Sequence, residues 1–252
     1  MDTLFLLGGD GTHRVALEQA IEIYGEDELP KIVFLRGGTM NTVSNALGIP
    51  RRSPQYLAAR AVRGKACEVR QRLLRVESDV GTHHGFLFGT GVMNRFLAEY
   101  ERRADPTALD GARTLARAVL EAAGLAPASM LARERVKLTV DRQKTSEREV
   151  LTVAAGTVEQ IGLGFKLFAR AKESDTAFHV ISLHGPSARI PMSLPRIHRG
   201  RGFSENVADE LLCTTMLIEG VDGPINYMID GDLLPPTRKI ELSMGPAIRL
   251  LV

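Results

Sequence analysis

The sequence predicts an α/β unit followed by a mainly β half, on three observations. Within the first 50 of 252 residues, an apolar strand-like run passes through a glycine turn into a helix-like segment, and does so twice. Beyond residue 66, short β-branched and apolar runs dominate. The length also exceeds one average domain of roughly 100–200 residues, which leaves room for two.

The first run, 4–7, reads as a strand that enters Gly8-Gly9-Asp10-Gly11-Thr12, after which Val15, Ala16, Ala20 and Ile23 recur at helical spacing. Ile32-Val33-Phe34-Leu35 reads as the second strand. The turn Arg36-Gly37-Gly38-Thr39-Met40-Asn41, a helix over 42–47 and a stop at Gly48-Ile49-Pro50 follow it. Strands alternating with helices imply a parallel sheet, whose ligands bind at the carboxyl ends of the strands, where both glycine turns fall. A helix over 54–63 closes the unit. Strands are expected next over 68–77, 84–89, 135–141, 150–155, 178–183, 214–219 and 225–229, and helices over 93–103 and 107–123. On the second of these helices Leu109, Ala112, Leu115, Ala116, Val119, Leu120 and Ala123 share a face and read as core. Two last strands, 239–243 and 247–251, either stay in the β half or return to the first unit.

Composition narrows the function classes. Lys+Arg 32 against Asp+Glu 30 gives +2, with 44% hydrophobic and 25% charged residues, an ordinary globular balance. Aromatics at 5% and no Trp argue against a stacking platform for nucleic acid, so no nucleic-acid partner is expected. Cys67 and Cys213 lie far apart without CxxC spacing, so neither a disulfide framework nor a zinc site is indicated; both read as buried apolar residues of a reducing cytoplasm. No run approaches the roughly 18–20 apolar residues of a spanning helix, and no export signal is visible. The expected place is cytoplasmic, peripheral at the inner membrane face. Two segments are strongly basic: 51–75, with eight Lys and Arg against Glu68, and 189–201, with Arg189, Arg196, Arg199 and Arg201 and no acid. Either acids elsewhere in the fold neutralise them, or they attract an anionic membrane or nucleotide phosphates.

Gly8-Gly9-Asp10-Gly11-Thr12 carries the chemistry. Glycines let the backbone approach a phosphate, and the helix that follows aims its N–H groups at the anion. An acid in such a loop repels bare phosphate. It makes sense if Asp10 faces magnesium or takes the proton of an attacking hydroxyl; the plainer reading is that Asp10 caps the following helix. Gly38-Thr39-Met40-Asn41 adds amides, a hydroxyl and a side-chain amide, and together the turns suggest a nucleotide site. His13 and the pair His83-His84 read as ordinary polar loop residues. HExxH, Gly-x-Ser-x-Gly and Walker patterns are absent, so hydrolase and P-loop readings fall away, and Gly162-Leu163-Gly164 leads into no βαβ unit.

These residues resemble the diacylglycerol kinase catalytic-domain family, which includes sphingosine kinases and bacterial soluble lipid kinases. The resemblance rests on Gly8-Gly9-Asp10-Gly11-Thr12, on Gly38-Thr39-Met40-Asn41 with Leu47-Gly48-Ile49-Pro50, and on Ile229-Asp230-Gly231-Asp232. Weaker support comes from Phe88-Gly89-Thr90-Gly91-Val92 and from Gly162-Leu163-Gly164 with Ala171 and Asp175. It implies an α/β nucleotide-binding domain, 1–66 with 238–252 returning, and a β-sandwich lipid-binding domain, 67–237, of the NAD kinase and diacylglycerol kinase type. It also implies ATP and magnesium in the cleft. Asp10 and Asp232 would be catalytic, Gly8, Gly9, Gly11, Thr12, Gly38, Thr39, Asn41 and Gly231 would surround the nucleotide, and Asp10 and Asp230 would face the metal.

The expected reaction is transfer of the γ-phosphate of ATP to the hydroxyl of diacylglycerol or a related lipid at a membrane surface. Three departures keep alternatives open. The chain starts seven residues before Gly8, where the family has a further strand–helix unit; Arg14 and Val15 replace a small polar residue and a glutamate; and Asp232 replaces a glutamate. A shortening of about 1 Å can cost on the order of 100-fold in rate. The alternatives are a nucleotide- or lipid-binding relative without catalysis and an NAD kinase-like enzyme with a soluble substrate. A missing first strand would expose a sheet edge, compatible with a homodimer.

Overall fold

Strand β1 (Thr3–Gly8) runs parallel to β2 (Lys31–Arg36), with Leu6 opposite Phe34, and α1 (Asp10–Tyr24) crosses between them. The computed structural model to which these elements belong describes residues 2–38, 41–102, 107–127 and 129–252. Ile32, Val33, Phe34 and Leu35 are all buried, as befits a parallel strand covered on both faces. Short α2 (Thr42–Ala46) follows, then α3 (Pro54–Val62), which starts where the Ser53 hydroxyl accepts the Tyr56 N–H with Pro54 in the first turn.

The chain then builds a sandwich. Its strands are β3 (Glu68–Ser78), β4 (Gly81–Gly85), β5 (Leu87–Thr90), β6 (Glu134–Val140), β7 (Lys144–Val150), β8 (Thr152–Gly156), β9 (Phe178–Leu183), β10 (Ala208–Cys213), β11 (Thr215–Gly220), β12 (Ile225–Ile229), β13 (Asp232–Thr237) and β14 (Lys239–Leu251). Helices α4 (Val92–Glu101) and α5 (Ala108–Ala122) lie between β5 and β6, and α6 (Ile190–His198) lies between β9 and β10. Among the described residues, one sheet runs β1-β2-β14-β11-β6-β7 with β3 and β4 beside β14, and the other runs β10-β9-β8-β5-β12-β13. Every second residue of the first sheet, such as Val136, Leu138, Met216, Ile218, Ile240 and Leu242, packs on Phe88, Val153, Phe178, Val180 and Tyr227 of the second.

Strand β14 ties the halves together. It pairs antiparallel with β3 and β11, and in parallel with β2 through Leu250 opposite Ile32. The two final strands expected at 239–243 and 247–251 are therefore one, kinked by a register shift between Met244 and Ala247. The strand expected at 84–89 is instead two, broken at Phe86. Strands β7, β10 and β13 had no clear signal in the sequence, and all three lie at sheet edges. Edge strands tolerate the alternating charges of β7 and the Pro235-Pro236 of β13, which a central strand would not. Helix α6 was hidden by Pro191 and Pro195.

Three further expectations are corrected by burial. His13 is a buried helical residue, stacked on Phe34 with ring centroids 4.3 Å apart, and His84 is buried in β4. Cys213 is buried but Cys67 is exposed. On α5, Leu109 and Leu120 are exposed, while Leu115, Ala118, Val119 and Ala122 line a cavity. The stripe that reads as core is in part the wall of a binding space.

Candidate active site

The two glycine turns lie backbone to backbone. The Gly37 N–H donates to the Gly8 carbonyl at 2.8 Å, and a Cβ on Gly38 would stand 2.5 Å from the Gly9 Cα. Glycine is required here first by the close approach of one loop to the other. Asn41 begins α2 in the left-handed conformation, φ 46°, and its side chain closes on Gly38, accepting that residue's N–H at 3.3 Å and donating to its carbonyl. It braces the turn. Thr39, expected to hold phosphate, lies outside the described residues.

Asp10 caps a helix, although not the one that follows it. Thr42 N–H donates to Asp10 Oδ2 at 2.6 Å and Val43 N–H to Oδ1 at 3.1 Å, so the carboxylate of the first turn anchors the start of α2. Burial raises its pKa above the usual carboxylate range, against the pull of those two amides. Asp230 is also tied to backbone. Phe86 N–H and Leu87 N–H donate to Asp230 Oδ1 at 2.9 and 2.8 Å, which bends the chain between β4 and β5. Burial, aided by the Asp10 charge, pushes this carboxyl up to about 8.

Asp232 stands differently. Its Oδ2 accepts from Arg14 Nε at 2.7 Å, and its Oδ1 occupies the space a Cβ on Gly11 would need, only 2.5 Å away. Gly11 is thus glycine to admit Asp232. Gly11→Ala is expected to keep the melting temperature within a few degrees while displacing Asp232 by about 1 Å and lowering turnover on the order of 100-fold; paired melting and rate measurements check this.

Two concave spaces meet at this turn. A cavity of about 490 Å³ is bounded at one end by Gly9, Asp10, Gly11, Gly38, Asn41, Asp230 and Gly231. Otherwise its walls are apolar, including Met93 and Leu97 of α4, Leu115 and Val119 of α5, and Leu194 and Ile197 of α6. Beside it an open groove is lined by Gly9, Gly11, Thr12, Val15, Ala16, Gln19 and Asp232. Gly9 and Gly11 belong to both. Asp10, Asp230 and Gly231 thus face the cavity, whereas Thr12 and Asp232 face the groove. Gly8 lies behind them, against the Thr12 side chain.

Glu101, which the sequence analysis passed over, stands exposed at the edge of the cavity, where partial loss of water and the Asp232 charge raise its pKa. Its signal is an acid on the apolar face of α4, in line with Met93, Leu97 and Tyr100.

A magnesium ion held by Asp10 and Asp230 does not fit this donor set. Both oxygens of each carboxylate accept backbone N–H groups, and Asp232 is paired with Arg14. Among the described residues, no group of three or more His, Cys, Asp and Glu side chains is arranged to hold a metal.

An α/β unit joined to a β-sandwich, with an acidic glycine turn between a groove and an apolar cavity, is the two-domain fold of NAD kinases and diacylglycerol kinases. The part bearing both glycine turns, residues 1–71, matches the family model described as the diacylglycerol kinase catalytic domain. That match covers the part with the two turns and likens it to a kinase catalytic domain. A solved diacylglycerol kinase structure from Bacillus anthracis str. Sterne superposes with a TM-score of 0.61 at 17% identity, covering 99% of this chain and 76% of that one. Yeast NADH kinase complexed with NADH gives 0.52 at 11% identity, covering 100% of this chain and 62% of that one. Identities this low speak for the fold alone. A comparison with curated proteins found no match.

Proposed function

We propose that this protein is an ATP-dependent lipid kinase that phosphorylates the hydroxyl of diacylglycerol or a related lipid. The apolar cavity of about 490 Å³ whose polar end is the Gly9-Asp10-Gly11 turn carries this reading. Its size falls within the roughly 300–1,000 Å³ of small-molecule sites, and its walls suit acyl chains rather than a dinucleotide. The nucleotide phosphates lie in the groove, near the N–H groups that open α1, and the lipid hydroxyl reaches the turn from the cavity. The hydroxyl oxygen then forms a bond to the γ-phosphorus, the bond from that phosphorus to the bridging oxygen breaks, and ADP leaves. Asp10 accepts the hydroxyl proton. Its burial favours that role, since a carboxylate of raised pKa is the stronger base.

The lipid enters from an anionic membrane surface that α6 faces. Ile190, Leu194 and Ile197 of this helix wall the cavity, while Met192 is 76% exposed. Arg189, Arg199 and Arg201 form no ion pair with an acid among the described residues, and Arg196 donates only to the Gly202 and Arg201 carbonyls, so the charge of this basic segment can meet an external anion. In the segment 51–75, Arg75 pairs with Glu26 and Glu77, while Arg51, Arg52, Arg60 and Arg63 form no ion pair with an acid among the described residues, so this segment too can meet an anionic surface.

Transfer of labelled γ-phosphate from ATP to mixed lipid micelles tests the proposal beside an NAD-only control. The expected result is labelled phospholipid from the wild type and at least a 100-fold loss in Asp10→Asn, which retains one acceptor for α2 and melts within a few degrees of wild type. Labelled NADP and no labelled lipid would move the assignment to a soluble-substrate kinase.

A further inference from the structure

Two carboxylates that do not form a metal site nevertheless meet at one buried cation. Arg14, 8% exposed, donates through Nε to Asp232 Oδ2 at 2.7 Å and through Nη1 to Glu18 Oε1 at 2.8 Å, and its charge lowers the raised pKa of Asp230. Glu18 is itself fixed through the same oxygen, Oε1 accepting the His84 N–H at 3.0 Å and contacting His83 Nδ1 at 3.2 Å. Neither carboxylate can leave without stranding the guanidinium, whose planar fork fits the two of them at once.

We propose that Arg14 is a built-in counter-cation of the active site: it holds the position between Asp232 and Glu18 that a divalent cation would otherwise take. Two consequences follow. Asp232 is neutralised by the protein, so an acidic residue can line the groove without repelling phosphates. The Asp232–Glu18 position also gathers no divalent cation of its own, and any such ion there arrives with the nucleotide phosphates, as suits a small cation that is reluctant to shed water. This rests on the kinase reading only for the meaning of the groove. The ion pair and its replacement can be tested with neither nucleotide nor lipid present.

The experiment is titration of Mn2+ against the nucleotide-free protein, followed by the loss of the free-ion paramagnetic resonance signal. Wild type is expected to take up no Mn2+ through Asp232, so that wild type and Asp232→Asn titrate alike. Arg14→Met, which keeps the stem and removes the charge, is expected to bind Mn2+ at least tenfold more tightly than wild type. That gain should vanish in Arg14→Met/Asp232→Asn and be absent from Arg14→Lys. Tight uptake by wild type that Asp232→Asn abolishes would overturn the proposal even if Arg14→Met failed to fold. A folded Arg14→Met that gains no affinity would overturn it as well. Because activity is not the readout, a failed lipid assay and a failed metal titration remain separate results.

Discussion

Ala118→Phe is expected to lower kcat/KM for a long-chain lipid by about 50–200-fold while leaving ATP binding unchanged. Ala118 lies on the cavity face of α5, and a phenyl ring there displaces the volume of roughly three to four methylenes. At about 0.8 kcal/mol per buried methylene, the lost contact amounts to ~2.4–3.2 kcal/mol, which at about 1.4 kcal/mol per decade gives that range. Short-chain analogues that do not reach α5 should be spared. Calorimetric ATP titration beside turnover on lipids of two chain lengths checks both halves of the expectation. Uniform turnover across chain lengths would place the lipid elsewhere.

Asp230→Ala is expected to remove about 2–5 kcal/mol of stability. It would leave the buried Phe86 and Leu87 N–H groups without acceptors, at about 1–3 kcal/mol each, and put alanine at φ 49°. Asp230→Asn, which keeps an acceptor and tolerates the left-handed backbone, should lose less.

The same residue sets a pH dependence. Its carboxyl, ordinarily near 3.8, is pushed up to about 8 by burial. Between those values the folded chain holds a proton that the unfolded chain has released, so stability falls as pH rises, by at most about 1.4 kcal/mol per pH unit. The contribution is whole below the unfolded pKa and gone once pH passes the folded one. Denaturant midpoints for wild type should therefore decline from pH 5 to 8.5 more steeply than those of Asp230→Asn; parallel slopes would assign the dependence to other groups.

Much of the first α/β unit was legible because its signals are local. A strand's apolar run, a glycine turn and a helical period fall within about 20 residues, so β1, α1, β2 and the acidic turn could be read directly. Central strands such as β6, β9 and β12 were equally plain, since burial on the sandwich face demands apolar alternation. The edge strands β7, β10 and β13 bury less and so left little trace, whereas β1, also at an edge, is marked by the glycine turn it enters.

By itself the sequence determined the order of elements, the two glycine turns and the three aspartates around them. Only the tertiary structure decided what each aspartate does. Asp10 turned to the amides of α2, 32 residues away, Asp230 to the bend at Phe86, and Asp232 to Arg14, 218 positions earlier. No spacing encodes such partners, because each is set by how distant elements meet once the chain has folded: α1 with α2, the turn after β12 with the bend between β4 and β5, and β13 with α1. The apolar stripe of α5 shows the same physics: helical periodicity tells which face leaves water, but not whether that face meets side chains or lines a cavity.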